Sequence, residues 1–569
     1  MVPNKLTRRQ RTDLHEVPEM AMNPRKFCFE IAKRLSSAAT RGVVAVLALS
    51  SLSARADDCE SLAALAIPYT TITVAASIPA GTFAPPTGAP IPGLPAFCRV
   101  AGVIRPTSDS NIGFELWMPS AGWNGKYQQV GNATFGGSFF YTGGGGLPGI
   151  ADGVKRGYAT AGTDDGHASN DLNDATWAVG HPERVIDFGY RAVHETAEKA
   201  KMIVDAFYGI HPRHSYFSGC SSGGREALME AQRFPDDFDG IIAGAPANDF
   251  THLMSGEVWN EQATLANPAS YIPFNKLPAI TAAALAACDA QDGVVDGIIN
   301  DQGRCHFDPS SLLCTGAESA SCLTAPQLDA LGKIYSGARN PRTGEQIFPG
   351  YSPGAESFNL GRGSWSLWIT GAAPGSAQQF SEANPFFANM MFEDPKWDFR
   401  TFNFDTDVTA TDAKLAHALN ATDPDLSAFD VRGGKIIMYH GWNDPAIASR
   451  SSIDYYERVI AAERPGVGLG HGEDRVALRR TQDFIRLFMA PGVNHCTGGP
   501  GPNTYDMLKA LEIWVENGAA PQRIIASHLT NGVIDRTRPL CPYPQIAKYL
   551  GGGSTDEAAN FRCISPDDD

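Results

Sequence analysis

The chain has 569 residues, 43% of them hydrophobic, and carries a formal charge of −16 at pH 7. This length and composition support one or two packed domains and exclude disordered and collagen-like classes. An acidic surface repels nucleic acid and anionic lipid, so neither is an expected partner.

In chain order, the first feature is an apolar run at residues 42 to 49, G-V-V-A-V-L-A-L, preceded by Lys33, Arg34 and Arg41. It is too short to span a bilayer. Ala54-Arg55-Ala56 follows as an A-x-A cleavage site, so residues 1–56 read as a signal peptide with an N-terminal extension. Met22 makes a more ordinary start than Met1. The remainder holds 36 basic and 58 acidic residues, a net charge of −22. The expectation is a secreted or periplasmic protein.

Cys28 leaves with that leader, and ten of the eleven cysteines remain. An even count in an exported chain reads as a set of disulfides. Sequence proximity suggests Cys59–Cys98, Cys288–Cys305, Cys314–Cys322 and Cys541–Cys563. Cys220 and Cys496 are left to pair by elimination, the alternative being two buried free thiols.

W-N-G-K-Y-Q-Q-V (123–130) reads as a strand, followed by the glycine-rich loop Gly131 to Gly137. Next, S-Y-F-S reads as a strand and R-E-A-L-M-E-A-Q-R-F as a helix that Pro235 stops. Between them lies Gly219-Cys220-Ser221-Ser222-Gly223, a G-x-S-x-G nucleophile elbow in the required strand–turn–helix setting. Ser221 has glycines at −2 and +2; Ser222 does not. A second match, Gly350-Tyr351-Ser352-Pro353-Gly354, has prolines and no helical period around it and reads as a loop.

Further on, K-I-I-M-Y-H forms a strand from Lys435 to His440, running into a loop with Asp444. I-R-L-F-M-A then leads to a loop with His495, and Y-D-M-L-K-A-L-E-I-W-V to a helix. The order Ser, Asp, His, each just past a strand, is that of an α/β-hydrolase triad. His440 precedes the acid and His471 lies in G-L-G-H-G, which leaves His495 as the base. Cys220 precedes Ser221 and Cys496 follows His495, so a bond between them ties the elbow to the histidine loop.

C-S-x-G-G-R-E, H-G-x-x-D and N-H-C-x-G-G-P-G together resemble the tannase and feruloyl esterase family. The likeness extends to W-N-G-K-Y at 123, Q-R-F-P-D-D-F-D-G-I-I-A-G-A-P-A at 232 and T-R-P-L-C-P-Y-P-Q at 537. It implies an α/β-hydrolase fold with a large inserted lid domain and a secreted serine carboxylesterase with Ser221, Asp444 and His495 as its triad. The four cysteine pairs proposed from proximity also fit the family's pattern. The core would occupy 57–250 and 425–569, and the lid 251–424.

The resemblance also implies a structural Ca2+, held by the side chains of Asp289, Asp292 and Asp296 and the carbonyls of Val294 and Ile298. The residues support this, with carboxylates three and four apart and glycines between them; the plainer reading is a solvated acidic turn. The spacing does not match an EF-hand. No organic cofactor is implied.

The expected mechanism is acyl transfer through Ser221, with the backbone N–H groups of Ser222 and Thr134 facing the oxyanion. Trp368 and Phe387, from aromatic-rich stretches of the lid, and His440 are candidate pocket residues. Gln379 stands where the family's terephthalate monoester hydrolases carry an arginine. That tilts the expectation toward feruloyl or galloyl esters, with terephthalate monoesters as the alternative. A catalytically silent binding protein would lack a triad member, and all three are present. Oligomeric state is left open.

Overall fold

The computed structural model describes residues 58–565 apart from 145, 147, 359–362 and 465–470. The leader expected over 1–56, and the glycine-rich stretch before His471, lie outside the described residues.

Nine strands form one twisted sheet. They are β1 (Thr70–Ile78), β2 (Phe97–Ile104), β3 (Ile112–Pro119), β4 (Lys126–Val130), β5 (Ala159–Thr163), β6 (His214–Cys220), β7 (Gly240–Gly244), β8 (Lys435–Gly441) and β9 (Ile485–Ala490). Their spatial order is β1-β2-β3-β5-β4-β6-β7-β8-β9. Pairing is antiparallel from β1 through β3 to β5, then parallel from β5 to β9.

Parallel strands covered on both faces read as continuous apolar runs, and β8 does so. Side chains alternate across it: Ile436 and Met438 join one core, Ile437 and Tyr439 the other. The first core packs α1 (Ala192–Tyr208) and α2 (Ser222–Arg233) against the sheet through Ala200, Ile203, Ala227 and Leu228.

Between β7 and β8 the chain leaves the sheet. This excursion includes α3 (Phe250–Leu265) and α4 (Gln378–Pro385), which pack on each other. Its own apolar core joins Leu277, Leu331, Trp365, Phe386 and Phe402 to Phe135 and Ala446 from loops at the sheet edge. Helix α5 (Met507–Asn517) then covers the sheet's other face through Leu511 and Trp514. Two terminal hairpins follow, β10 (Ile524–Thr530) with β11 (Val533–Leu540), and β12 (Ile546–Tyr549) with β13 (Phe561–Ile564).

The ten cysteines form the five bonds that proximity and elimination suggested. Such a set belongs to an oxidising compartment. Among the described residues no helix is long and apolar enough to cross a membrane.

The topology fixes the site. Strands β4, β6, β8 and β9 run parallel, so the loops after them leave from one edge of the sheet. Those loops carry Thr134, Ser221, Asp444 and His495.

Candidate active site

Strand β6 ends at Cys220 and α2 begins at Ser222, leaving Ser221 alone in the turn. Its backbone has φ 66° and ψ −125°, a conformation that non-glycine residues avoid. The turn is held by Ser221 N–H donating to Gly244 O at 3.0 Å and by Ala247 N–H donating to Ser221 O at 3.1 Å. Gly219 cannot carry a side chain, because a Cβ there would stand 2.2 Å from Gly223 O. A Cβ on Gly223 would stand 2.9 Å from Asn132 O. These close approaches are the physical content of the G-x-S-x-G spacing. Ser352 lies in a loop, its hydroxyl 3.4 Å from that of Ser449.

His495 Nδ1 donates to Asp444 Oδ2 at 2.7 Å, which leaves Nε2 as the basic nitrogen. Burial opposes a charged imidazole, yet the Asp444 carboxylate outweighs it and raises the His495 pKa above its ordinary value. Asp444 is 3% exposed. Burial pushes its carboxyl up, but His495 and His440 more than compensate and hold it well below the usual range. The N–H groups of Ala446 and Ile447 donate to Oδ1 at 2.8 and 2.9 Å. The Cys220–Cys496 disulfide joins the residue before Ser221 to the residue after His495.

As the first helical residue, Ser222 has an N–H with no intrahelical acceptor. Its hydroxyl donates to Thr134 O at 2.6 Å. Sequence reasoning found a use for the amide alone; the hydroxyl anchors the neighbouring loop. That loop is further fixed by Gly223 N–H on Asn132 O at 2.9 Å and Asn132 N–H on Glu226 Oε2 at 3.1 Å. Thr134 has φ 45°, unusual for a β-branched residue, and it lines one cavity with Ser221 and Ser222.

That cavity is otherwise mainly apolar, with Phe135, Phe250, Leu253, Met254, Trp368 and Ile447 among its walls. Trp368, expected in the pocket, meets the His495 ring edge to face at 5.4 Å. The other three pocket expectations are corrected. Gln379 is 1% exposed and faces inward, where its amide bonds Asn260 Nδ2 and the Tyr351 hydroxyl. Phe387 is fully buried among Phe386, Trp397 and Phe402, in the excursion's own core. His440 lies behind the acid: Nε2 faces Asp444 Oδ2 at 3.0 Å and Ile447 O at 3.1 Å, two acceptors. Nε2 therefore carries the proton, and Nδ1 accepts from the Ser452 hydroxyl at 2.8 Å.

Comparison with known proteins agrees with this geometry. The signature described as "Tannase and feruloyl esterase" matches residues 98–564. The chain belongs to this family. It is 46% identical to an uncharacterised esterase of Xanthomonas campestris pv. campestris, over 92% of this chain and 94% of that one. It is 36% identical to mono(2-hydroxyethyl) terephthalate hydrolase of Piscinibacter sakaiensis, over 85% and 87%. The crystal structure of feruloyl esterase B from Aspergillus oryzae superposes with a TM-score of 0.78 at 29% identity, covering 89% of this chain and 99% of that one. A carboxylic ester hydrolase of the tannase and feruloyl esterase type is the activity these relations support.

Two carboxylic acids that sequence reasoning passed over also line this tannase-family cavity: Glu257 from α3 and Glu382 from α4. A signal existed for the first. Helix α3 has no polar face set against an apolar one: Glu257, Asn260 and Glu261 are interspersed with Leu253, Met254 and Val258, and an acid in such a helix needs a reason.

The expected calcium loop lies elsewhere. Asp292, Asp296 and Ile298 line one small cavity with Asn300, Pro491 and Arg538. Asp289 accepts backbone N–H groups from Asp296 and Gly297 at 3.3 and 2.9 Å, and Asp296 pairs with Arg538 at 2.6 Å. Val294 packs on Cys541, Ala547 and Phe561, and Asn300 Nδ2 donates to Ala547 O at 2.9 Å. The loop thus joins the excursion to the terminal hairpins. Carboxylates are donors that suit a hard divalent cation, but here Asp296 already pairs with Arg536 and Arg538, and the three acids do not close on one point.

Proposed function

We propose that this protein is a secreted serine esterase that cleaves esters of phenolic aromatic acids through an acyl-Ser221 intermediate. The observation that carries the reading is the His495–Asp444 hydrogen bond at 2.7 Å, tied to the strained Ser221 turn by Cys220–Cys496. In this reading Ser221 Oγ attacks the ester carbonyl while His495 Nε2 takes its proton. Asp444 holds the imidazole in the required tautomer and stabilises its positive charge. The N–H groups of Ser222 and Thr134 face the oxyanion; losing one such donor typically costs about 2.7–4 kcal/mol of transition-state stabilisation. His495 then protonates the leaving alcohol and activates the water that releases the acid.

A Ca2+ held by Asp289, Asp292 and Asp296 and the carbonyls of Val294 and Ile298 would be structural, since that loop joins the excursion to the terminal hairpins rather than to Ser221. When bound, it supplies charge compensation to crowded carboxylates. The relation to a terephthalate monoester hydrolase favours such monoesters as a second reading. Steady-state rates on methyl ferulate, methyl gallate and a terephthalate monoester separate the two. The expected result is higher kcat/KM on the phenolic esters and none with Ser221→Ala. Dominant monoester turnover would transfer the assignment to the second reading.

A further inference from the structure

Glu257 and Glu382 are 1% and 8% exposed. Glu257 Oε2 is buried with no hydrogen-bond partner among the described residues, and Glu382 Oε1 accepts from Gln378 Nε2 at 3.0 Å. Among the described residues no Lys or Arg lines the cavity they share with Ser221. Two buried acids without a cation are out of place in an apolar cavity unless something there bonds to them.

Their charge state limits what that can be. Burial raises the Glu257 carboxyl well above the ordinary range, and the nearby Glu382 and Glu261 raise it further. Burial pushes Glu382 up to about 7, against the opposing influence of Gln378 and His495. Burial therefore favours the protonated form of Glu257, which can donate as well as accept. A phenolic hydroxyl also does both, and the walls are aromatic and aliphatic, though the space between them is about 20 Å³ and must widen to take the ring. A carboxylate on that ring would meet a second acid instead.

We infer that Glu257 and Glu382 are specificity residues of the acyl cavity, selecting aromatic acyl groups that carry a phenolic hydroxyl and rejecting those that carry a carboxylate. This rests on the esterase reading above and names the chemistry of its acyl group. A site built to hydrogen-bond a hydroxyl rejects the analogue lacking it, because its own polar atoms are then left unpaired.

Methyl p-coumarate and methyl cinnamate differ by that one hydroxyl. The expected kcat/KM ratio is at least about tenfold in favour of the hydroxylated ester. Glu257→Leu should bring the ratio close to one, while Glu257→Gln, which keeps a donor and an acceptor in the same shape, should retain most of it. Glu382→Gln should raise monomethyl terephthalate turnover relative to p-coumarate. A ratio near one in the unmodified protein, or one unchanged by Glu257→Leu, would overturn the inference while leaving the esterase reading in place. Absence of turnover on every ester would overturn both. Should Glu257→Leu not fold, calorimetric binding of p-coumaric and cinnamic acids to Ser221→Ala decides: preference for the hydroxylated acid supports the inference, and equal affinity overturns it.

Discussion

Asp444 and Glu257 are both buried acids, yet their surroundings answer that burial in opposite ways. Asp444 receives His495, His440 and two backbone N–H groups, and it stays ionised. Among the described residues one oxygen of Glu257 has no partner and no cation lines its cavity, so burial favours its protonated form. Burial is common to both, so the number and charge of the donors decide. One fold thereby keeps an anion behind His495 and favours a neutral acid in the cavity beside Ser221.

The strongest way to break this contrast is to remove the anion without removing its shape. Asp444→Asn should lower kcat on the order of 10⁴-fold, because an amide neither fixes the His495 tautomer nor stabilises the imidazolium. A loss below tenfold would mean that His495 does not depend on Asp444.

The Asp289–Asp296 loop sharpens the contrast with a third solution, in which crowded carboxylates would be satisfied by a cation. Removing Ca2+ with a chelator should lower Tm while kcat measured well below Tm stays near its starting value. A cation at a hundredfold excess over its Kd stabilises by about 2.7 kcal/mol. Unchanged melting after verified metal removal would eliminate the site.

The smallest effect concerns cross-talk between the cavity acids and the base. Burial works against the His495 imidazolium; Asp444 supports it most, and Glu382 adds to that support. The acid limb of kcat/KM should therefore lie above pH 6.5, the ordinary value for histidine. In Glu382→Gln the supporting charge is gone, so the limb should move to lower pH. A limb that stays in place or rises would show that Glu382 does not reach the base.

Much of this was legible in the sequence because it is local. The elbow needs Gly219 and Gly223 for close approaches, and β8 needs a continuous apolar run; both leave marks within ten residues. The Asp444–His495 pair followed from order, and the Cys220–Cys496 bond from cysteines left over by proximity. The pocket was less legible. Aromatic density around Phe387 reads alike for a roof and for a core, and the structure uses it as core. Glu257 and Glu382 lie on separate helices whose convergence only the packing of α3 on α4 creates. His440, expected in the pocket, is turned inward by Ser452 and Asp444.

The central claim is that the hydroxyl of Ser221, and no other, forms the covalent intermediate. Labelling with a fluorophosphonate followed by peptide mapping tests it directly. The account predicts one adduct, on Ser221, absent from Ser221→Ala. An adduct on Ser222 or Ser352, or undiminished labelling of the Ser221→Ala variant, would contradict it.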